Sequence, residues 1–319
     1  MQDYLNGLNE QQKVAVEHNE GPLMIVAGAG SGKTKVLTTR IAHLMSNGVD
    51  AFNILALTFT NKAAAEMKER IERILGNSEA RNLYIGTFHS VFARILRTEA
   101  PKIGYPSHFT IYDTDDAKSV LKTVIKEMNL DDKHYKPNMV LNRISMAKNA
   151  LVGPEEYSND WLLQQEDARS NRPEIGRIYK NYSERCFKNG AMDFDDLLFK
   201  MHLLLTTFPE SLSKYQHKFK YIMIDEYQDT NLLQEKIYFE VARQIGGALT
   251  VVGDDDPVES APCRLLGVLR VHHPLEHQVP LPAVADPGEI VAGEPAGEGA
   301  VHELGELAEI QISLHVGAQ

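Results

Sequence analysis

The chain has 319 residues and a formal net charge of −11, long enough for one large domain or two ordinary ones with a sizeable buried core. Its composition excludes a wholly fibrous or disordered chain, and no apolar run reaches the roughly 18 to 20 residues that span a bilayer. Its two cysteines, Cys186 and Cys263, stand far apart without metal-ligand spacing, which argues against a disulfide framework or a cysteine zinc site. Met1 to Glu20 is polar and lacks the basic-then-apolar pattern of a secretory signal, so the expected location is cytoplasmic. The acidic balance decides nothing about nucleic acid. Residues 257–319 hold nine acidic residues against two arginines, −7 of the −11, and the nearly balanced remainder can carry a local basic groove.

In chain order, the first predicted strand is Leu23–Ala27. It runs into Ala27-Gly28-Ala29-Gly30-Ser31-Gly32-Lys33-Thr34 and then a helical-period segment, Lys35–Ser46. This is the context a phosphate-binding loop requires. Glycines let the backbone wrap an anion so that its N–H groups and the helix N-terminus point inward. Lys33 would reach the β- and γ-phosphates, and Thr34 would offer its hydroxyl to Mg²⁺. Ala27 stands where the strict pattern has a glycine. A second strand is predicted at Ile54–Thr58. From about Asp113 to Ala191 the alternation gives way to helical, polar sequence, including Asp115–Met128 and Pro173–Lys188, with no clear strand. Strand character returns at Tyr221–Ile224, and Asp225-Glu226-Tyr227-Gln228-Asp229 follows at its carboxyl end, where ligands bind in parallel sheets. Asp225 would hold Mg²⁺ opposite Thr34, Glu226 would orient or deprotonate the attacking water, and Gln228 would sense the γ-phosphate. A last strand is predicted at Leu249–Val252. The expected fold is therefore α/β: a parallel sheet covered on both faces, carrying a P-loop, with an inserted all-helical subdomain.

These motifs, taken together, resemble those of superfamily 1 DNA helicases of the UvrD/Rep type. Asp225–Asp229 is similar to their motif II, and the Ala-first loop to their motif I. Leu8-Asn9-Glu10-Gln11-Gln12 resembles the Q motif, which implies that Gln12 reads the adenine edge and prefers ATP to GTP. Thr58–Met67 resembles motif Ia and Gly86-Thr87-Phe88-His89-Ser90 motif Ib. The resemblance implies single-strand DNA contacts at Phe59, Asn61, Lys62, Thr87, Phe88 and His89, residue types that suit stacking and phosphate contact. Arg70, Arg94 and Arg97 are further phosphate candidates or members of a solvated helix face. Met192–Leu197 matches a block where the family's chain re-enters the motor domain, and the Ile144-Ser145…Lys148-Asn149 stretch resembles a segment of its helical subdomain. The implied organisation is a RecA-like P-loop motor domain over 1–112 and 192–256 with a helical insertion over 113–191. The implied activity is ATP-dependent 3′-to-5′ unwinding with Mg²⁺. An unrelated P-loop ATPase or kinase would not need the Ia and Ib blocks in this order.

Resemblance ends at about Asp256, inside what resembles motif III: Gly253-Asp254-Asp255-Asp256 leads into Pro257-Val258-Glu259, without the family's glutamine. Residues 257–319 contain no Lys, Asn, Thr, Met, Phe, Tyr or Trp, yet carry half of the 14 prolines. Two readings stand: a disordered Ala/Pro/Glu-rich tail, or sequence foreign to the family through a frameshift or fusion. With the second motor domain's motifs absent, the chain is expected to be a helicase front half, and the alternative is a fragment that only binds ATP or single-stranded DNA.

Overall fold

The computed structural model describes residues 3–18, 21–28, 30–76, 79–243, 249–254 and 269–271. Helix α1 (Glu10–Glu17) precedes strand β1 (Leu23–Val26), which leads to α2 (Lys33–Ser46). Strand β2 (Ile54–Thr58), α3 (Asn61–Leu75), β3 (Tyr84–Thr87) and α4 (Phe88–Glu99) continue the alternation. A short strand β4 (Thr110–Ile111) opens into α5 (Thr114–Glu127), α6 (Pro137–Asn149), α7 (Pro154–Asn159), α8 (Trp161–Arg169) and α9 (Ile175–Lys188), and β5 (Ala191–Met192) closes the excursion. Then come α10 (Phe194–Thr207), α11 (Pro209–Lys218), β6 (Tyr221–Ile224), α12 (Leu232–Ala242), β7 (Leu249–Gly253) and β8 (Leu269–Val271).

Six strands form one parallel sheet in the order β3-β2-β6-β7-β1-β8. Its strands are near-continuous apolar runs because both faces are covered, as parallel sheets require. The two-residue period of a strand divides the side chains between two cores. Leu23 and Ile25 of β1, with Ile54 and Ala56 of β2, pack against α1, α2 and α3. Met24, Val26, Leu55 and Leu57 point the other way, onto α4, α10, α11 and α12. Helices α5, α6, α7 and α9 enclose a third core built on Leu121, Ile125, Val140, Ile144, Ile178 and Tyr179. The chain's departure into these helices and its return are stitched by β4 and β5, paired parallel with Thr110 opposite Ala191.

Two of the expectations change. Residues 84–87, read only as part of a motif, form an edge strand. Residues 269–271, inside the tail expected to lack structure, add a strand beside β1; the rest of that tail, from 257 to 268 and from 272 to 319, lies outside the described residues, as does Cys263. Cys186 is a buried free thiol. Among the described residues no helix is long and apolar enough to cross a membrane.

Three buried charged groups fix elements to one another. Arg40 on α2 is 1% exposed; it donates to Thr250 Oγ1 on β7 and to the carbonyls of Ala15, Val16 and His18 at the end of α1. Burial lowers its pKa to about 10, still charged at neutral pH. Lys148 Nζ lies 2.7 Å from Asp193 and 2.9 Å from Asp196, joining the end of α6 to the start of α10. Burial alone would discharge this lysine, but the two carboxylates prevail and hold the ammonium. Glu99 at the end of α4 accepts from Lys214 (2.5 Å) and Tyr215 (3.0 Å) on α11 and pairs with Lys102 at 2.9 Å. Burial would raise its pKa, yet these donors hold it at about 2.

Two consequences can be measured by chemical denaturation. Lys148→Met strips two buried carboxylates of their cation and should destabilise the protein by about 3 to 5 kcal/mol. Glu99→Gln should lower stability by about 2 to 3 kcal/mol at pH 7. Because Glu99's pKa is depressed on folding, its contribution is complete above the ordinary glutamate range and is lost as pH falls through it toward 2. The gap between parent and variant should therefore narrow on acidification below about pH 4.5, and a gap constant from pH 7 to pH 3 would refute this assignment.

Candidate nucleotide site and nucleic-acid interface

Parallel pairing brings every strand's carboxyl end to one edge, and the candidate residues gather there. The β1–β7 ladder continues past β1 through Ala27 N–H to Gly253 O at 3.1 Å, and the β2–β6 ladder past β6 through Asp225 N–H to Leu57 O at 2.9 Å. The chain after β1 turns through Gly30 and Gly32, whose φ of 79° and 87° a side chain would strain. Gly32 is the residue before α2, and the helix opens with Lys33 and Thr34, so the unpaired N–H groups of its first turn border the loop. Ala29 lies outside the described residues. Lys33 is buried; its ammonium donates to Ala27 O at 2.9 Å and also contacts the Asp254 carboxylate. An open cavity of about 370 Å³ lies above, lined by Gly30, Gly32, Lys33, Thr34, Lys35, Arg70, Glu226 and Asp254. It joins the loop after β1 to the acidic segment after β6, as their chemistry demands.

Arg70, a candidate for DNA phosphate in the sequence, instead lines this cavity from α3. Gln12 is the third residue of α1; its side chain completes a capping box with Asn9, and its Nε2 donates to Ser31 O at 3.1 Å. Arg40 holds the other end of the same helix, so α1 is tied both to the phosphate loop and to the sheet.

Asp225 is 3% exposed, and burial, reinforced by the Glu226 charge, pushes its pKa up to about 6. Its Oδ1 is buried without a hydrogen-bond partner, as is Ser31 Oγ. An orphaned carboxylate oxygen one residue before Glu226, which lines the cavity together with Thr34, is the hard-oxygen chemistry that a divalent cation such as Mg²⁺ takes. Glu226 stands in the left-handed region at φ 53° and ψ 51°, a conformation that costs a non-glycine residue of order 1 kcal/mol or more. Gln228 secures it: Nε2 donates to Glu226 Oε2 at 2.8 Å, while Oε1 accepts from Asp254 N–H at 3.2 Å. A Cβ on Gly253 would meet Gln228 Oε1 at 2.7 Å, so glycine there admits the glutamine.

The candidate nucleic-acid residues follow β2 and β3. Asn61 and Lys62 are exposed at the start of α3, and Thr87 caps α4 through Ser90 N–H. Phe59 is half-buried, its ring 5.6 Å from that of Phe88. Phe88 itself is 1% exposed and packs on Phe92; this corrects its expected role in stacking, because the first residue of α4 turns toward the core. His89 is half-buried beside Phe194, ring centroids 5.3 Å apart; burial, opposed by Asp195, lowers its pKa and favours the neutral ring. Phe194 is 54% exposed and was not singled out in the sequence. Its signal was an aromatic directly after the capping Asp193, on the helix's outer turn. Arg94 and Arg97 cover the rings of Tyr84 and Phe109 at 4.2 and 3.9 Å, which gives them packing roles. Phe88→Ala should accordingly cost about 3 to 5 kcal/mol of stability in a denaturant titration; an unchanged midpoint would return Phe88 to the surface.

Comparison with known proteins agrees with this geometry. A family model described as the UvrD/REP helicase N-terminal domain matches residues 8–257. The ATP-dependent DNA helicase PcrA of Bacillus subtilis is 47% identical over 253 residues, covering 79% of this chain and 33% of that protein. Those of Staphylococcus epidermidis and Staphylococcus aureus are 45% and 44% identical, each over 80% of this chain and 34% of theirs. The chain thus spans about one third of the length of these relatives. With the matched region running from the capping helix through the acidic segment and β7, this chain belongs to the UvrD/REP helicase N-terminal domain family.

Proposed function

We propose that this chain binds Mg-ATP and single-stranded DNA on one sheet edge and serves as the first motor half of an ATP-dependent 3′-to-5′ DNA helicase. The observation that carries it is the cavity where Lys33 and Thr34, after β1, face Glu226, after β6. Lys33 holds the β- and γ-phosphates once Asp254 releases it, and the α2 N-terminus adds its N–H groups. Thr34 and Asp225 hold Mg²⁺, which would neutralise phosphate charge. Glu226 orients and deprotonates water, held by Gln228, which also senses the terminal phosphate. Phe59, Asn61, Lys62, Thr87, His89 and Phe194 form the single-strand face, with stacking and uncharged donors suited to a motor that reads no sequence.

Turnover is a separate matter. Arginines from a second domain typically supply about 10³ to 10⁵ in rate. The matched region, residues 8–257, is therefore expected to hold both ligands but to need such arginines for unwinding; unwinding by residues 8–257 alone would contradict this.

The test is nucleotide binding by the purified chain with a fluorescent ATP analogue and Mg²⁺. Lys33→Ala should weaken it about tenfold or more, Glu226→Gln should leave it nearly unchanged, and GTP should compete worse than ATP. Equal binding by the parent and Lys33→Ala overturns the nucleotide assignment; equal competition by GTP removes Gln12 from base recognition. On the other face, Phe194→Ala should weaken an oligo-dT by about 1 to 3 kcal/mol with its melting temperature little changed. Undiminished DNA affinity would place the strand elsewhere.

A further inference from the structure

The last residue of α6 belongs to the helical insertion, yet its side chain reaches both halves of the site. Asn149 Nδ2 donates to Asp195 Oδ1 at 3.0 Å, besides Ser145 O of its own helix at 2.9 Å. Its Oδ1 accepts from Asn231 Nδ2 at 2.8 Å. Asp195 follows Phe194 in the first turn of α10 and opposes the fall in pKa of His89. Asn231 caps α12 and ends the tight turn after Glu226, in which Asp229 N–H bonds Glu226 O and Thr230 N–H bonds Tyr227 O, both at 3.0 Å.

We infer that Asn149 is a positioning residue that couples nucleotide occupancy at the Glu226 loop to the grip of the Phe194–His89 pair on single-stranded DNA; this rests on the proposed function above. Anchoring alone does not call for it. The neighbouring Lys148 already fixes α6 to α10 through two buried ion pairs, whereas the half-buried Asn149 adds α12, and so the acidic loop, to that junction. The loop is suited to having two arrangements. Glu226 is strained, and Gln228 bonds to both Glu226 and the Asp254 backbone, so a ligand that displaces Asp254 from Lys33 disturbs this set. The turn from Glu226 to Asn231 carries the disturbance to Asn149, which passes it to Asp195. Coupling of this kind is a free energy between two sites and must be measured as one.

The experiment uses the whole 319-residue chain. Oligo-dT affinity is measured by fluorescence anisotropy with and without saturating Mg²⁺ and a non-hydrolysable ATP analogue. The parent should show a nucleotide-dependent change in Kd of about fivefold or more. N149D places a carboxylate against Asp195 and should reduce that ratio to near one, with analogue affinity in the absence of DNA and the melting temperature little changed. D195N alone keeps an acceptor for Asn149 and should keep the ratio. The double variant N149D/D195N exchanges amide and carboxylate, restores the hydrogen bonds of residue 149 with residue 195 and with Asn231 though not the one to Ser145 O, and should restore the ratio, which a merely structural defect would not do. A ratio unaltered by N149D, or unrestored in the double variant, overturns the inference. A parent that binds both ligands without coupling overturns it and leaves the proposed function standing; a parent that binds neither overturns both.

Discussion

Parallel hydrogen bonding places every strand's carboxyl end at the same edge of the sheet, and the functional geometry depends on that constraint. β1 lies beside β7, β7 beside β6, and β6 beside β2. The loops that leave these strands are therefore neighbours although residues that touch across them, Lys33 and Asp254, are 221 apart in sequence. The phosphate loop, the acidic segment and Asp254 meet over β1, β6 and β7. The residues after β2 and β3 lie farther along the same edge. No side chain could hold these groups together without the ladders beneath them, and the two faces of buried aliphatic residues are what keep the ladders dry.

Onto this scaffold the protein adds buried polar ties at places where elements must not slip. Arg40 fixes α1, which carries Gln12, to α2 and β7. Lys148 fixes the helical insertion to α10. Glu99 fixes α4 to α11. Each replaces lost hydration by several charge-assisted hydrogen bonds, which is the condition under which a buried charge is tolerated. The site carries strain of its own: Glu226 occupies a left-handed conformation beside the cavity, held by Gln228, and Asp225 and Ser31 retain unpartnered oxygens. Two orphaned buried oxygens and a strained glutamate gathered at one edge mark it as a place where ligand completes the structure.

Much of this was legible in the sequence. The apolar runs Ile54–Thr58 and Tyr221–Ile224 are too short for helices and bounded by polar residues, which marks them as buried strands, and the glycine-rich loop can be placed because strand and helix flank it. What the sequence left hidden has physical reasons. Tyr84–Thr87 contains one aliphatic residue and a glycine, too little for a strand signal at a sheet edge. Phe59 and Phe88 occur in similar motif contexts, but direction is set by helix geometry, which turns Phe88 into the core. Arg70 belongs to the cavity because α3 crosses beside α2, a packing fact. Phe194 stands between Asp193 and Asp195, and only the packing of α10 beside α4 sets its ring against His89. Asn149 and Asn231 are 82 residues apart, and no local pattern announces their contact.

The account's central claim is that nucleotide and single strand occupy adjacent stretches of one sheet edge within this chain. Hydrogen–deuterium exchange tests it most directly, comparing the chain alone, with Mg²⁺ and a non-hydrolysable ATP analogue, and with oligo-dT. The account predicts protection at residues 27–34 and 225–228 with nucleotide, and at 59–62, 87–89 and the start of α10 with DNA. Nucleotide protection confined to other segments, or DNA protection on the opposite edge of the sheet, would contradict it.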